Sequence, residues 1–324
     1  SAGWSLTESD PGVFTGILTD LGVRGVQVEE LWGLDPDLLN DLEPVYALIF
    51  LFKWVGNGDP ATMDGTLREP TTSHYFAHQV INNACASIAL LNAALNIHDP
   101  NVHLGEELSN LKAFSEGLDP ETRGWTLTNS EKLREVHNSF ARSDPFHLED
   151  YHRPDDPTED AYHFIAYLPI GDELYELDGL KPKPVSHGKI PAEGKWTELA
   201  RAVLERRIAT YPAGEVMFNL LALTGRLSRL EKRLEELETK GEGASGEEEA
   251  ERVDVKERVA CIRERMKDWE TEVSRAGRAN TLRRHNYIGL IHGLLVELAK
   301  QDKLAPQVEA AKQKMKDRIA DKRA

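Results

Sequence analysis

Cysteine is scarce: the 324 residues hold two, Cys85 and Cys261. A pair so far apart excludes a disulfide framework as the stabilising device and points to a reducing compartment. Two thiols are too few for a cysteine-built structural zinc site, and none of the eleven His falls into an H-E-x-x-H pair, so nothing asks for a metal or another cofactor. Long apolar runs are missing too. The best, residues 45–52, is far short of the roughly 20 that a membrane-spanning helix needs, and it reads as a buried strand. The first ten residues are polar and acidic, without the charged-then-apolar order of a secretory leader. Basic residues are in deficit. Against 55 Asp and Glu stand 39 Lys and Arg, a net charge of −16, which argues against nucleic-acid binding without a separate basic segment.

What is present changes character near residue 225. Before it, apolar runs, Pro and Gly alternate at short spacing, the mark of mixed helices and strands. Beyond it the chain is charged, helical in pattern and almost free of Pro. The expected organisation is therefore an α/β domain over 1–225 and an all-α extension over 226–324. Strand patterns cover 45–54, 162–170 and 173–177, and helical ones 11–21, 83–95, 106–115, 130–140 and 195–209. Residues 143–160 hold three Pro and seven Asp or Glu, which predicts a long exposed loop.

The extension opens with Leu227, Leu230, Leu234 and Leu237, a 3-4-3 spacing. A Gly-rich break follows, then a second seam at Val255, Val259, Ile262, Met266, Trp269 and Val273. The spacing suits an antiparallel coiled-coil hairpin, or two helices that each pack on the first domain. Residues 282–298 are too apolar all round for a solvated helix and want a partner surface. From 281 onward ten Lys or Arg face five Asp or Glu, a net of +5, so the other 280 residues carry −21. That asymmetry suits docking of the tail on an acidic surface, or simply a solvated helix end.

Three segments carry candidate chemistry. Cys85 follows Asn82 and Asn83 at the head of an apolar helical run. With an Asn as N-cap, Cys85 falls in the first turn, where free N–H groups and the helix dipole favour a thiolate and a developing oxyanion. The other reading of such a Cys is a small packing residue. Residues 162–178 read as a hairpin turning at Gly171 and Asp172. In the two-residue register opposed positions sum to 343, so His163 and Asp178 become a diagonal pair on one face; a three-residue turn would separate them. Gln79, six residues before Cys85, offers a side-chain N–H donor. A lone Cys at a helix start with a His and then an Asp downstream is the order of a cysteine hydrolase.

The stretches Gln79-Val80-Ile81-Asn82-Asn83-Ala84-Cys85, His163-Phe164 and Leu177-Asp178-Gly179-Leu180-Lys181-Pro182 resemble the ubiquitin C-terminal hydrolase family. The opening from Trp4, the Val28-Glu29-Glu30-Leu31-Trp32 stretch and Val136-His137-Asn138-Ser139-Phe140 are similar too. The resemblance implies a knotted fold, with a central antiparallel β-sheet flanked by helices. It assigns the nucleophile to Cys85, the general base to His163, the orienting carboxylate to Asp178 and the oxyanion donor to Gln79. It makes residues 143–162 a loop crossing the cleft, whose acidic residues, Glu149, Asp150, Asp155 and Asp156 among them, suit the basic tail of ubiquitin. Arg283-Arg284-His285-Asn286-Tyr287 and Leu304-Ala305-Pro306 resemble the extension of the family's proteasome-associated member. That implies three partners: ubiquitin, the adaptor domain of a proteasomal ubiquitin receptor, and a subunit of a chromatin-remodelling complex. It also implies residence in cytoplasm and nucleus. The alternative is a ubiquitin-binding scaffold in which catalysis is secondary or autoinhibited.

Overall fold

The computed structural model describes residues 3–7, 9–53, 65–70, 74–140, 162–211, 218–239, 246–284 and 300. Among the described residues seven strands form one antiparallel sheet: β1 (Gln27–Glu30), β2 (Val45–Lys53), β3 (Thr66–Leu67), β4 (Tyr162–Ile170), β5 (Glu173–Leu177), β6 (Val185–Lys189) and β7 (Phe218–Thr224). Their order is β1-β7-β2-β4-β5-β6-β3. The central strands are buried on both faces, which is why 45–52 reads as an unbroken apolar run. Along β2, Ala47 and Ile49 enter one core while Leu48, Phe50 and Phe52 enter the other.

Helices cover both faces. The first core is closed by α1 (Pro11–Asp20), α3 (Cys85–Ala94), α4 (Gly105–Phe114), α5 (Pro120–Asn129) and α6 (Glu131–Ser139). The second is closed by α2 (Pro36–Asp41) and α7 (Trp196–Ile208). The helix starts follow local chemistry. Asp10 accepts from the N–H groups of Gly12 and Val13 with Pro11 at the first helical position, and Asp119 does the same for Glu121 and Thr122 ahead of Pro120. Helix α3 is buried along nearly its whole surface, so it is apolar all round except for Ser87 and Asn92.

The turn between β4 and β5 has the two-residue register that the sequence predicts, with Ile170 opposite Glu173 and Ala166 opposite Leu177. The expected Asn cap on α3 is not what forms. Ala84 is the N-cap residue, without a side-chain cap bond, and Asn83 instead adopts φ 67°. Asn tolerates that left-handed geometry, and its side-chain amide is spent on the Trp4 carbonyl at 3.1 Å. Cys85 still opens the first turn of the helix.

Two compact units divide the chain, Ser1–Gly277 and Arg278–Ala324. The change of character at 225 therefore lies inside the first unit. There α8 (Arg226–Thr239) packs on α9 (Gly246–Arg284) through Leu230, Leu237, Val255, Val259 and Ile262, flanked by Leu227, Leu234 and Met266. Arg233 pairs with Glu251 at 2.8 Å and Glu231 with Arg263 at 2.7 Å, so positions earlier in α8 meet positions later in α9. The same helix pair also grips the sheet domain. Glu29 takes Arg226 at 3.3 Å and Arg265 at 3.2 Å, and Asp41 takes Arg226 at 2.5 Å and also Arg258. The side chains of Trp269 and Val273 and nearly all of 285–324 lie outside the described residues, as does the 143–160 loop.

Candidate active site

Sheet and helix deliver their groups to one place. His163 is the second residue of β4, and Asp178 follows β5 directly. Their side chains meet as the diagonal predicts, with His163 Nε2 to Asp178 Oδ1 at 2.6 Å and both residues buried. That bond leaves Nδ1 for Cys85, which shares a hydrogen bond with the ring. Burial opposes a charge on the imidazole. It is outweighed by the hydrogen bonds to Asp178 and Cys85 and by their negative charges, so His163 is pushed up to about 9. The ring of Phe52 meets the imidazole edge-on, 5.7 Å between centroids. Cys85 is half-buried and so open to attack a substrate, whereas Cys261 is exposed on α9.

Gln79 ends the stretch 74–79, which pairs with no strand of the sheet among the described residues. Its backbone is satisfied by other means. Asn92 of α3 accepts from Ala77 N–H at 2.8 Å and donates to Ala77 O at 3.0 Å. Asn96 does the same for Tyr75, at 2.8 and 2.7 Å. Four residues of helix rise about 6 Å and two residues of strand about 6.7 Å. Asn92 in α3 and Asn96, two residues past its end, can therefore serve alternate residues of the stretch, as a neighbouring strand would. Gln79 N–H then donates to Gly179 O at 2.8 Å. A Cβ at Gly179 would stand 3.0 Å from Gln79 N, so only glycine permits this approach without displacement. On the far side Gly124 lets α5 reach the His78 carbonyl, which a Cβ would meet at 2.2 Å.

The Gln79 side chain donates to Ile81 O at a long 3.3 Å, and its Oε1 is buried with no partner among the described residues. An amide held this weakly is free to turn its N–H toward another acceptor. Replacing Asn92 by Ala should leave both backbone groups of Ala77 unpaired, at a cost of about 2–3 kcal/mol. The urea midpoint should fall accordingly. A loss under about 0.5 kcal/mol would show that the stretch is held by something else.

The sequence pointed to Cys85, His163, Asp178 and Gln79; the structure sets His163 between Asp178 and Cys85, and bonds the Gln79 backbone to Gly179, the residue after Asp178. It missed three others. His137 of α6 lies buried between Ser87 Oγ (2.8 Å from Nδ1) and the Ser5 carbonyl (2.7 Å from Nε2), tying the N-terminal stretch to the first turns of α3. Burial lowers its pKa, so the ring is neutral and Nε2–H donates to Ser5. Asn92 lies in α3 and Asn96 two residues past its end, four apart at the close of a mostly apolar run, and that oddity was the available signal. Among the described residues no cluster of three or more His, Cys, Asp or Glu could hold a metal ion.

Comparison with known proteins places this geometry in a family. Residues 4–209 match the family described as ubiquitin carboxyl-terminal hydrolase, family 1, and residues 262–304 match a second described as ubiquitin carboxyl-terminal hydrolases. Ubiquitin carboxyl-terminal hydrolase ubh-4 of Caenorhabditis elegans is 40% identical over 97% of this chain and 93% of its own length. Ubiquitin carboxyl-terminal hydrolase 2 of Schizosaccharomyces pombe is 42% identical over 92% of this chain and 90% of its own. The crystal structure of Trichinella spiralis UCH37 bound to ubiquitin vinyl methyl ester superposes with a TM-score of 0.67 at 36% identity, covering 83% of this chain and all of that one.

Proposed function

The chain belongs to the ubiquitin carboxyl-terminal hydrolase family and is a cysteine hydrolase, and from that premise we propose that Cys85 is the nucleophile, His163 the general base and acid, Asp178 the group that orients His163, and Gln79 the oxyanion donor. The alignment of Cys85 at a helix start with His163 and Asp178 carries this assignment. His163 stays cationic to about pH 9, which sets a positive charge beside the Cys85 sulfur. The sulfur attacks the carbonyl carbon of the ubiquitin C-terminal Gly. A C–S bond forms while the carbonyl electrons move onto oxygen, held by Gln79 and by N–H groups at the start of α3. Collapse breaks the C–N bond, and the Nδ1 proton of His163 passes to the leaving amine. His163 then takes a proton from water, which attacks the thioester. The C–S bond breaks, and the ubiquitin carboxylate departs.

The relative caught with ubiquitin vinyl methyl ester supplies the test. The same reagent should add one ubiquitin to this chain, and peptide mapping should place it on Cys85. The exposed Cys261 is an internal control in the same molecule. Labelling of Cys261 alone, or no adduct on folded protein, would sink the assignment.

The extension is read as the element that brings the enzyme to its partners. The match over 262–304 and the resemblance of 283–287 and 304–306 support docking of 282–324 on the helical adaptor domain of a proteasomal ubiquitin receptor, or on a chromatin-remodelling subunit. Work at the proteasome, in cytoplasm and nucleus, goes with that reading. The segment itself lies almost wholly outside the described residues.

A further inference from the structure

Behind the catalytic groups lies a buried ionic cluster that the mechanism does not use. Glu176 of β5, 1% exposed, receives Lys181 Nζ at 2.5 Å, His187 Nε2 at 3.0 Å, Arg207 Nη1 at 3.4 Å and the Tyr167 hydroxyl at 3.0 Å. One of these partners differs in kind. His187 and Arg207 reach Glu176 from β6 and α7, whereas Lys181 is five residues further along the same chain. The stretch it closes includes Asp178 and Gly179.

That stretch is a tight turn. Lys181 N–H donates to Asp178 O at 2.9 Å, and Leu180 N–H donates to Asp178 Oδ1, also at 2.9 Å. The same Oδ1 is 2.6 Å from His163 Nε2. The Gly179 carbonyl accepts from Gln79 N–H at 2.8 Å, and the His78 ring donates from Nε2 to Pro182 O at 3.2 Å. One turn therefore sets both the carboxylate behind His163 and the backbone of Gln79. Its Lys181 side chain is only 12% exposed, so the charge is not free to move elsewhere.

We propose that Lys181 is a positioning residue for hydrolysis: its buried pair with Glu176 locks the turn that presents Asp178 to His163 and the Gly179 carbonyl to Gln79. This rests on the catalytic reading above and deepens it, because it makes the orienting carboxylate and the oxyanion donor depend on one ion pair. Lys181 touches no reacting atom. Displacements of the order of 1 Å in such supports cost up to about 100-fold in rate.

Lys181→Met keeps length and apolar stem and leaves Glu176 its bonds to His187, Arg207 and Tyr167. Two readouts are taken on the full chain. The first is kinetics on ubiquitin carrying a fluorogenic C-terminal amide. Here kcat should fall about tenfold with KM within about twofold, and Lys181→Arg should restore most of the loss. The second is the NMR titration of the His163 imidazole, which needs no substrate. Asp178 and Cys85 both face this ring. Its midpoint should fall in Lys181→Met as the Asp178 bond loosens, and recover in Lys181→Arg. An unchanged midpoint, or kcat within about twofold of wild type, would overturn the proposal. So would loss of folding in Lys181→Met and Lys181→Gln with Lys181→Arg intact, since that is a stability role. If instead the wild type fails to hydrolyse the substrate, the catalytic reading fails, while the titration still decides whether Lys181 sets Asp178.

Discussion

Asp178→Asn should lower kcat by about 10²–10³ with little change in KM. The carboxylate does two things at 2.6 Å from His163 Nε2. It accepts a hydrogen bond from Nε2–H, which leaves Nδ1 for Cys85, and its charge stabilises the imidazolium. An asparagine can offer an N–H to Nε2 instead, which puts the ring proton on Nδ1, where it cannot take one from the thiol. Burial, no longer opposed by a neighbouring carboxylate, then pulls the His163 pKa down from about 9. The alkaline limb of the wild-type rate profile belongs near 9, and in the variant it should move to lower pH. Stability follows the same sign. A raised histidine pKa adds stability that is complete below about 6.5, its ordinary value, and is lost as pH rises through the folded value. The gap in unfolding free energy between wild type and Asp178→Asn should therefore narrow between about pH 6.5 and 9. Kinetics across that range, with thermal unfolding alongside, check both. A variant within threefold of wild-type kcat would show that Cys85 and His163 need no third group.

Much of this site was legible because its logic is local. A two-residue turn fixes the sum of opposed positions, so the pairing of His163 with Asp178 follows from counting once the turn is placed at Gly171 and Asp172. Cys85 at the head of an apolar run is equally visible. Where the sequence misled, a residue had two uses. Asn83 is a good cap and also a good left-handed residue, and the Trp4 carbonyl, 79 positions away, decided between them. The edge and polar elements were harder to see. β1 is four residues, β3 is two, and β6 reads Val-Ser-His-Gly-Lys, with no alternation to announce a strand. Helix α5, Pro120–Asn129, is short of apolar residues because one face needs only Gly124 to approach a backbone carbonyl. The supports of the site were harder to read for a related reason. Asn92 and Asn96 stand out as polar residues in an apolar run but do not say what they hold, and Glu176 looks like an ordinary polar position until the groups that satisfy it arrive from distant segments.

Glu176→Gln should cost the largest share of stability, about 4 kcal/mol, because it leaves buried cations without their counter-charge. Burial by itself would push the Glu176 carboxyl up. The hydrogen bond from His187 and the charges of Arg207, Lys181 and His187 overcome that and hold it well below the usual carboxylate range. The wild type therefore keeps the ion at neutral pH and in moderate acid. The sign follows from linkage: a depressed carboxyl pKa gives stability that is present above its ordinary value near 4.5 and is lost only as pH falls toward the folded one. The gap in urea-derived stability between wild type and Glu176→Gln should thus be flat from pH 7 to about 4.5 and close below it. A gap under 1 kcal/mol at pH 7 would mean that the glutamine reproduces the hydrogen bonds and that the charge itself adds little. The loss should not stay in the core. Arg207, which Glu176 anchors, stacks over Phe52 at 4.4 Å, and Phe52 in turn borders His163. Lys181, its other anchor, closes the turn that carries Asp178. Where the variant stays folded, kcat should therefore fall by more than Lys181→Met alone produces, because both supports of the His163 and Asp178 pair are loosened at once.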